Sequence, residues 1–236
     1  HSMQDSFFIN NPVFLKYKRR FDWRSLKRKP FIKKVLLNER IIEIPFAIDA
    51  LAGMPKASRV LDLGCMESVL PLFLAGLGFQ VTGFDFRQYP YQVPNFKFIQ
   101  GSILDLPFEK GDFDAVTCVS TIEHIGIGFY SDPKDSLSSD VKGMLEIKRV
   151  LKPGGLLILT VPFGKAFINN QQRIYDQQGL DKLLVGFSVN TTKFFKNTQA
   201  IKGNNYWEQI PLGQAESLQY TSGIECVCCL SALRGN

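Results

Sequence analysis

The stretch VLDLGC at residues 60–65, followed about 20 residues later by VTGFD at residues 81–85, decides the fold of this chain. Each stretch is a short apolar run that ends in a turn, the first at Gly64 and the second at Asp85. In a βαβ unit, a glycine turn lets a ligand approach the backbone, and an acidic residue after the next strand binds ribose hydroxyl groups. The two stretches therefore predict a unit that binds a nucleotide-like cofactor.

Apolar runs and turn-forming segments alternate along the rest of the chain. The predicted strands are 58–64, 79–85, 96–99, 113–119, 156–161, 187–195 and 224–230, and the predicted helices are 68–77, 138–151 and 180–185. Strands that are apolar throughout are covered on both faces, which is typical of a parallel sheet. We expect an α/β fold: a Rossmann-like, doubly wound, mostly parallel seven-stranded sheet with helices on both faces and an N-terminal helical extension.

The composition is that of a globular protein, with 45% hydrophobic and 21% charged residues among 236. No apolar run approaches the ~18 residues of a membrane span and no signal peptide opens the chain, so we expect a cytoplasmic protein. Five cysteines, an odd number, argue against a disulfide framework. Cys226, Cys228 and Cys229 lack a CxxC pair or a second histidine, so we expect buried thiols and no metal.

Positive charge is concentrated near the N-terminus. Residues 15–34 contain ten Lys or Arg against Asp22 alone, a net charge of +9, whereas the whole chain carries +6. Aromatic residues are interleaved with these cations. Such a segment suits phosphates, an anionic membrane surface or an anionic substrate, and the alternative is a solvated helix face over an apolar underside.

The first turn, DLGCMES at residues 62–68, distinguishes between two classes of cofactor. A dinucleotide site has the pattern G-x-G-x-x-G, in which a helix N-terminus receives pyrophosphate. Here Gly64 stands alone, and Met66 and Ser68 occupy later positions where glycine is expected. S-adenosylmethionine has no phosphate and carries an ammonium group that a carboxylate would face. The turn therefore favours S-adenosylmethionine over a dinucleotide.

Five segments, in order, resemble the class I S-adenosylmethionine-dependent methyltransferases. They are VLDLGC (60–65), VTGFD (81–85), GSILDLPF (101–108), FDAVTCVSTIEHIG (113–126) and VLKPGGLLILTVPFG (150–164), and they cover about 110 residues. STIEHIG, the loop 128–133 and TVPFG are similar to an uncharacterised subgroup associated with glycan biosynthesis. The resemblance implies S-adenosylmethionine as cofactor and S-adenosylhomocysteine as product. Together with the charge pattern, we expect a basic helical extension at 3–53 that covers the acceptor and a cofactor-binding domain at 54–236.

The family's cofactor contacts can be placed on this sequence one residue at a time. The resemblance implies that Asp62 and Gly64 line the methionine end and that Asp85 accepts hydrogen bonds from both ribose hydroxyls. It implies further contacts from Cys65 in the first turn, from Phe86, Ser102 and Ile103 around the adenine, and from Ser120 through its backbone. Ser102 stands where the family often has an acidic residue. For Asp62 and Asp85 the alternative is turn or cap chemistry.

His124 and Glu123 follow the fourth predicted strand, at the rim of the predicted cleft. A histidine, with an ordinary pKa of about 6.5, can take a proton from a hydroxyl as the methyl group moves. Glu123 would orient the imidazole or bind the acceptor. The alternative is that the pair caps the following segment and shapes the cofactor pocket. By position alone, the candidates for the acceptor wall are Asp132, Arg173, Tyr175 and Asp176, and the alternative for each is an ordinary loop residue.

The motifs exclude two acceptor classes and leave others open. The fourth strand lacks the Asn/Asp-Pro-Pro-aromatic tetrad of base amino methylation, and no Pro-Cys pair offers the nucleophile for cytosine C5 chemistry. We expect O-methylation of a sugar, glycan or small hydroxylated metabolite. One alternative is an RNA or lipid methyltransferase that uses residues 15–34 for nucleic acid or peripheral membrane contact. The other is a non-catalytic binding module, and no oligomeric state is predicted.

Overall fold

The computed structural model describes residues 38–128, 138–199, 205–221 and 223–235. Its helices are α1 (Arg40–Leu51), α2 (Leu70–Gly76), α3 (Ser139–Val150), α4 (Gln177–Leu183) and α5 (Leu212–Ser217). Its strands are β1 (Arg59–Leu63), β2 (Gln80–Asp85), β3 (Phe96–Gln100), β4 (Phe113–Val119), β5 (Leu151–Pro162), β6 (Phe167–Ile168), β7 (Arg173–Ile174), β8 (Phe187–Gln199), β9 (Asn205–Ile210) and β10 (Cys226–Arg234). The basic segment 15–34 and Asp132 lie outside the described residues, so the roles assigned to them stay predictions.

Eight of the described strands form one sheet in the order β3-β2-β1-β4-β5-β10-β8-β9, and β6 pairs with β7 separately. The first five strands are mutually parallel, whereas β10 runs antiparallel to β5 and β8, and β9 runs antiparallel to β8. The strand order reverses between β1 and β4, which is the switch point where open α/β sheets bind ligands. The predicted Rossmann-like fold is therefore confirmed, with β9 as an eighth strand at one edge.

Apolar side chains cover both faces of the sheet. Strand β1 buries four of its five residues. Successive residues of a strand point to opposite faces, and accordingly Leu61 and Val60 belong to two different apolar clusters. Helix α3 contributes Met144, Ile147 and Val150 to the cluster around Leu61. This two-sided burial explains why the parallel strands are continuous apolar runs in the sequence.

Helix α1 is part of this packed unit. Its Ala47 and Leu51 are fully buried in the cluster around Val60, together with residues of α2. The sequence prediction placed this helix in an extension that ends at residue 53, whereas the described part of that extension, from residue 38, includes a helix packed against the sheet. The assignment of the preceding residues to a separate extension stays a prediction. Among the helices of the described ranges, none is long and apolar enough to span a bilayer.

The buried face of α3 gives a direct test of the core. Ile147 is fully buried, and Ile147→Ala is expected to lower the free energy of unfolding by about 2–5 kcal/mol because it leaves a cavity. Leu145, on the same helix, is 59% exposed, so Leu145→Ala is expected to change it by less than about 0.5 kcal/mol. Urea denaturation of both variants measures the difference. Equal losses would contradict the assignment of the two faces.

Candidate active site

Two turns meet at the carboxyl ends of the parallel strands: the β1 turn (residues 64–68) and the β4 turn (residues 120–124). Gly64 has a left-handed φ of 72°, and its N–H donates to the carbonyl of Phe84 at 2.8 Å. A Cβ atom on Gly64 would lie 2.1 Å from the hydroxyl oxygen of Thr121. Both the backbone conformation and the close approach of the β4 turn therefore require glycine at this position.

Asp85 at the end of β2 is held by two backbone donors. Its Oδ2 accepts the N–H of Met66 at 2.9 Å, and its Oδ1 accepts the N–H of Arg87 at 2.8 Å. Nε of Arg87 also lies 3.5 Å from Oδ1. A carboxylate has about four lone-pair positions, so Oδ2 retains one for a ligand hydroxyl, whereas a hydroxyl at Oδ1 would share that oxygen with Arg87. The predicted ribose contact is compatible with this geometry, and the bond from Met66 adds the turn function that the alternative interpretation described.

Asp62 lies beneath the β1 turn, buried in β1. The hydroxyl of Thr117 donates to its Oδ1 at 2.5 Å, while Oδ2 has no hydrogen-bond partner within the described ranges. Burial raises the pKa of Asp62 to about 7, and the bond from Thr117 and the nearby Arg40 oppose that effect. A cationic group of a ligand near this carboxylate would favour its ionised form.

The residues predicted to surround the adenine differ in exposure. Phe86 is 43% exposed, and Ser102 is exposed, with its hydroxyl accepting the N–H of Leu104 at 3.3 Å. Ile103 is buried in the core cluster, close to Gly143 of α3.

Cys65 is a buried free thiol, and burial raises its pKa far above the ordinary value, which keeps it neutral. Within the described part of the chain, no group of three His, Cys, Asp or Glu is arranged to hold a metal ion.

Ser120 directs its side chain inward. Its φ is 41°, its N–H donates to the carbonyl and the hydroxyl of Thr160 at 3.1 and 3.0 Å, and its hydroxyl donates to Glu43. Any ligand contact by Ser120 would therefore use its backbone, which agrees with the role that the resemblance implied. The sequence prediction did not single out Glu43 or its neighbour Arg40. An acidic residue within the apolar run of α1 was the available signal.

His124 and Glu123 are adjacent and differently buried. Nδ1 of His124 lies 2.6 Å from the carbonyl oxygen of Gln171, and Nε2 lies 3.7 Å from Oε1 of Glu123. Glu123 is fully buried, and neither carboxylate oxygen has a hydrogen-bond partner among the described residues. Burial raises its pKa to about 8. The carbonyl requires a proton on Nδ1, which makes Nε2 the basic nitrogen of a neutral ring.

Of the predicted acceptor residues that the structure describes, Arg173 and Tyr175 share one polar group with Asp140. Arg173 is buried, and its Nη1 donates to the carbonyl oxygens of Glu123 and Ile125 at 3.2 and 2.8 Å. The hydroxyl of Tyr175 donates to Asp140 at 2.9 Å. Asp140 also lies 3.5 Å from Nε of Arg173.

Asp176 lies outside the polar group formed by Arg173, Tyr175 and Asp140. It is the N-cap of α4, where its Oδ1 accepts the N–H of Gly179 at 2.7 Å. This bond is a structural role, and it accounts for Asp176 without a ligand.

Comparison with known proteins finds methyltransferases among the relatives of this chain. The model of a family described as "Caenorhabditis protein of unknown function, DUF268" matches residues 105–221. An uncharacterised methyltransferase of Synechocystis sp. is 32% identical over 51% of this chain and 53% of its own length. A ubiquinone biosynthesis O-methyltransferase of Shewanella halifaxensis is 28% identical over 65% of this chain and 64% of its own length. The chain thus spans less than two thirds of either relative.

The fold has a counterpart among solved structures. The 1,6-didemethyltoxoflavin-N1-methyltransferase of Burkholderia thailandensis, solved with 1,6-didemethyltoxoflavin and S-adenosylhomocysteine bound, matches with a TM-score of 0.59. The match covers 96% of this chain and 91% of that one at 15% identity. The chain therefore has the fold of a class I methyltransferase, as the resemblance implied. Because none of these three proteins is named for a glycan acceptor, the glycan subgroup stays a prediction.

The buried carboxyl of Glu123 makes stability depend on pH. Its pKa is about 8 in the folded protein against an ordinary value of 4.5, so stability falls as pH rises between about pH 4.5 and about pH 8. Glu123→Gln cannot ionise, and its melting temperature is expected to exceed that of the unsubstituted protein at about pH 9. The gain should disappear towards pH 4.5. Thermal melts of the ligand-free protein across this range measure it.

Glu146 provides a control of opposite sign. Hydrogen bonds from Arg149 lower the pKa of Glu146, so its contribution to stability is present above the ordinary pKa and is lost as pH falls. Glu146→Gln is therefore expected to lower the melting temperature at neutral and alkaline pH. If both glutamine variants shift the melting temperature in the same direction at about pH 9, the explanation by burial of Glu123 is wrong.

Proposed function

We propose that this chain is an S-adenosylmethionine-dependent methyltransferase that methylates a hydroxyl group of a small acceptor. The observation that carries the proposal is the pair of carboxylates on either side of the β1 turn. Asp85 retains a lone-pair position on Oδ2, while its Oδ1 also faces Nε of Arg87, and a carboxylate so placed suits a ribose hydroxyl. Asp62 lies beneath the turn, and one of its oxygens has no hydrogen-bond partner among the residues that the structure describes. When ionised, this carboxylate favours a nearby ammonium group. A pyrophosphate group is anionic and would be repelled by both carboxylates.

The cofactor, when bound, supplies a methyl group on a cationic sulfonium. Asp85 would fix the ribose, and the charge of Asp62 would favour the amino acid end near the β1 turn. Transfer then depends on the in-line approach of the acceptor and, for a hydroxyl acceptor, on removal of its proton. The chain would therefore orient the cofactor at one side of the crevice and supply a base for the acceptor hydroxyl at the other.

We assign proton removal to Nε2 of His124. The carbonyl oxygen of Gln171 holds the proton on Nδ1, so that Nε2 is the basic nitrogen of the neutral ring. The carboxyl of Glu123, 3.7 Å from Nε2, would stabilise the imidazolium that forms when the proton arrives. This compensation acts only when Glu123 is ionised, and its raised pKa of about 8 confines that form to alkaline pH in the ligand-free protein.

For the acceptor, we propose a hydroxylated small molecule, with a sugar or glycan as the first class to test. A relative named as an O-methyltransferase, similar over 65% of this chain, supports oxygen as the methylated atom. Arg173 and Tyr175 are buried, and they bond to the backbone of Glu123 and to Asp140, so they would support the acceptor wall from behind.

Binding of S-adenosylmethionine and S-adenosylhomocysteine tests the cofactor assignment. Asp85→Ala removes two charge-assisted bonds, so the dissociation constant for either ligand is expected to rise about 100-fold in calorimetric titration. Asp112→Ala removes a carboxylate near the start of β4, where it pairs with Arg59, and should leave the affinity unchanged. Normal cofactor affinity in Asp85→Ala would refute the ribose contact, and no binding by the unsubstituted protein would favour a non-catalytic module.

Turnover of His124→Ala tests the base. With the best acceptor from a panel of phenols, sugars and nucleotide sugars, kcat is expected to fall about 100-fold, because general base catalysis is lost. Cofactor affinity should change less than about threefold, since His124 lies on the acceptor side. Formation of S-adenosylhomocysteine gives the rate. An unchanged kcat would remove His124 from the mechanism.

A further inference from the structure

Glu43 of α1 is a fully buried carboxylate that contacts the ends of two central strands. The hydroxyls of Ser120, after β4, and Thr160, in β5, both donate to its Oε1, the second at 2.7 Å. Oε2 lies 3.4 Å from Nη1 of Arg40, which also donates to the carbonyl of Val119 at 2.8 Å. Burial of a carboxylate is unfavourable, and these contacts offset only part of the penalty. Glu43 therefore contributes little to stability, and a role in positioning the strand ends is the alternative to consider.

The residue that Glu43 contacts is conformationally unusual. Ser120 has a φ of 41°, in the left-handed region that a residue with a side chain adopts only when its surroundings enforce it. The N–H of Ser120, shared between the carbonyl and the hydroxyl of Thr160, and the hydroxyl bond to Glu43 enforce it here. Without the carboxylate, Ser120 would lose the partner of its hydroxyl, and Thr160 would lose the acceptor that orients its own hydroxyl.

This conformation is transmitted to the cofactor side of the crevice. Thr121, the next residue, donates its hydroxyl to the carbonyl of Val119 at 2.9 Å and packs against Gly64, where no Cβ would fit. A shift of Ser120 therefore moves Thr121, and with it the wall against which the β1 turn packs. The contacts form a continuous series from α1 through the β4 turn to the β1 turn.

We propose that Glu43 is a positioning residue for cofactor binding, which fixes the β4 turn in its left-handed conformation and thereby sets the β1 turn from helix α1. The proposal rests on the proposed function for the identity of the ligand, S-adenosylmethionine. It does not rest on it for the mechanical connection, which is a property of the ligand-free protein. Glu43 touches neither ligand nor reacting atoms in this role.

The first test compares Glu43→Ala and Glu43→Gln in the full chain by calorimetric titration with S-adenosylhomocysteine. The alanine variant is expected to bind about tenfold more weakly, since the turn then has to be ordered by the ligand. The glutamine variant should stay within about threefold of the unsubstituted protein, because its amide oxygen can accept both hydroxyl bonds. Unchanged affinity of Glu43→Ala would overturn the proposal.

Leu51→Ala is the matched control for a merely structural role. Leu51 is buried on the same helix and touches the apolar cluster rather than the turn, so its truncation should lower the melting temperature and leave cofactor affinity unchanged. A second comparison is a rescue. Since glycine adopts positive φ without strain, Ser120→Gly combined with Glu43→Ala should recover most of the lost affinity. An equal loss in Leu51→Ala, or no recovery in the double variant, would refute positioning.

Amide hydrogen exchange separates failure of this proposal from failure of the proposed function. In the ligand-free protein, Glu43→Ala should accelerate exchange at the N–H of Ser120 about tenfold, whereas Leu51→Ala should not do so selectively. If exchange is accelerated but no protein binds the cofactor, the connection stands and the function is wrong. If exchange is unchanged, the connection itself is refuted.

Discussion

The close approach of the β1 and β4 turns at Gly64 is the constraint on which the rest of the site depends. A side chain at this position would collide with Thr121, and the positive φ of Gly64 excludes most residues independently. With the two turns in contact, Met66 can donate its N–H to Asp85 across the end of β2. The position of Asp85 therefore depends on glycine at residue 64, so the two sequence motifs form one structural unit.

Buried carboxylates give this edge of the sheet its electrostatic character. Burial raises the pKa values of Asp62, Glu123 and Glu43, and Arg40 lies close enough to oppose that effect in all three. Asp62 is bonded through one oxygen only, and neither oxygen of Glu123 has a hydrogen-bond partner among the described residues. Glu43 is held by two hydroxyls and lies beside Arg40. Burial outweighs these contacts, so ionisation is unfavourable in the ligand-free protein. A ligand that carries an ammonium and a sulfonium would supply the compensating charge, which links cofactor binding to stability of the crevice. The same property makes the region unsuited to an anionic pyrophosphate.

The sequence predicted the parallel half of the sheet well because its signals are local. Mostly apolar runs such as residues 113–119 indicate burial on both faces of the sheet. Gly64 and Asp85 come at the ends of predicted strands, and the structure places both at those strand ends. Strand β9 escaped prediction because it is an edge strand with few buried side chains and an irregular pattern, and the β6–β7 hairpin is too short for any periodicity. Glu43 could not be placed, since its partners Ser120 and Thr160 are 77 and 117 residues away in sequence.

The acceptor side shows why its chemistry is harder to read from sequence than the cofactor side. His124 takes its orientation from the carbonyl of Gln171, and the β4 turn beneath it is held by Arg173, both in the segment after β5. The segment that supplies candidate acceptor contacts therefore also sets the direction of the candidate base. Under the proposed function, a change in β6 or β7 that alters the candidate acceptor contacts would also displace the carbonyl that orients the imidazole. A motif of adjacent residues cannot reveal this contact, because His124 and Gln171 are 47 residues apart in sequence and meet only in the folded protein.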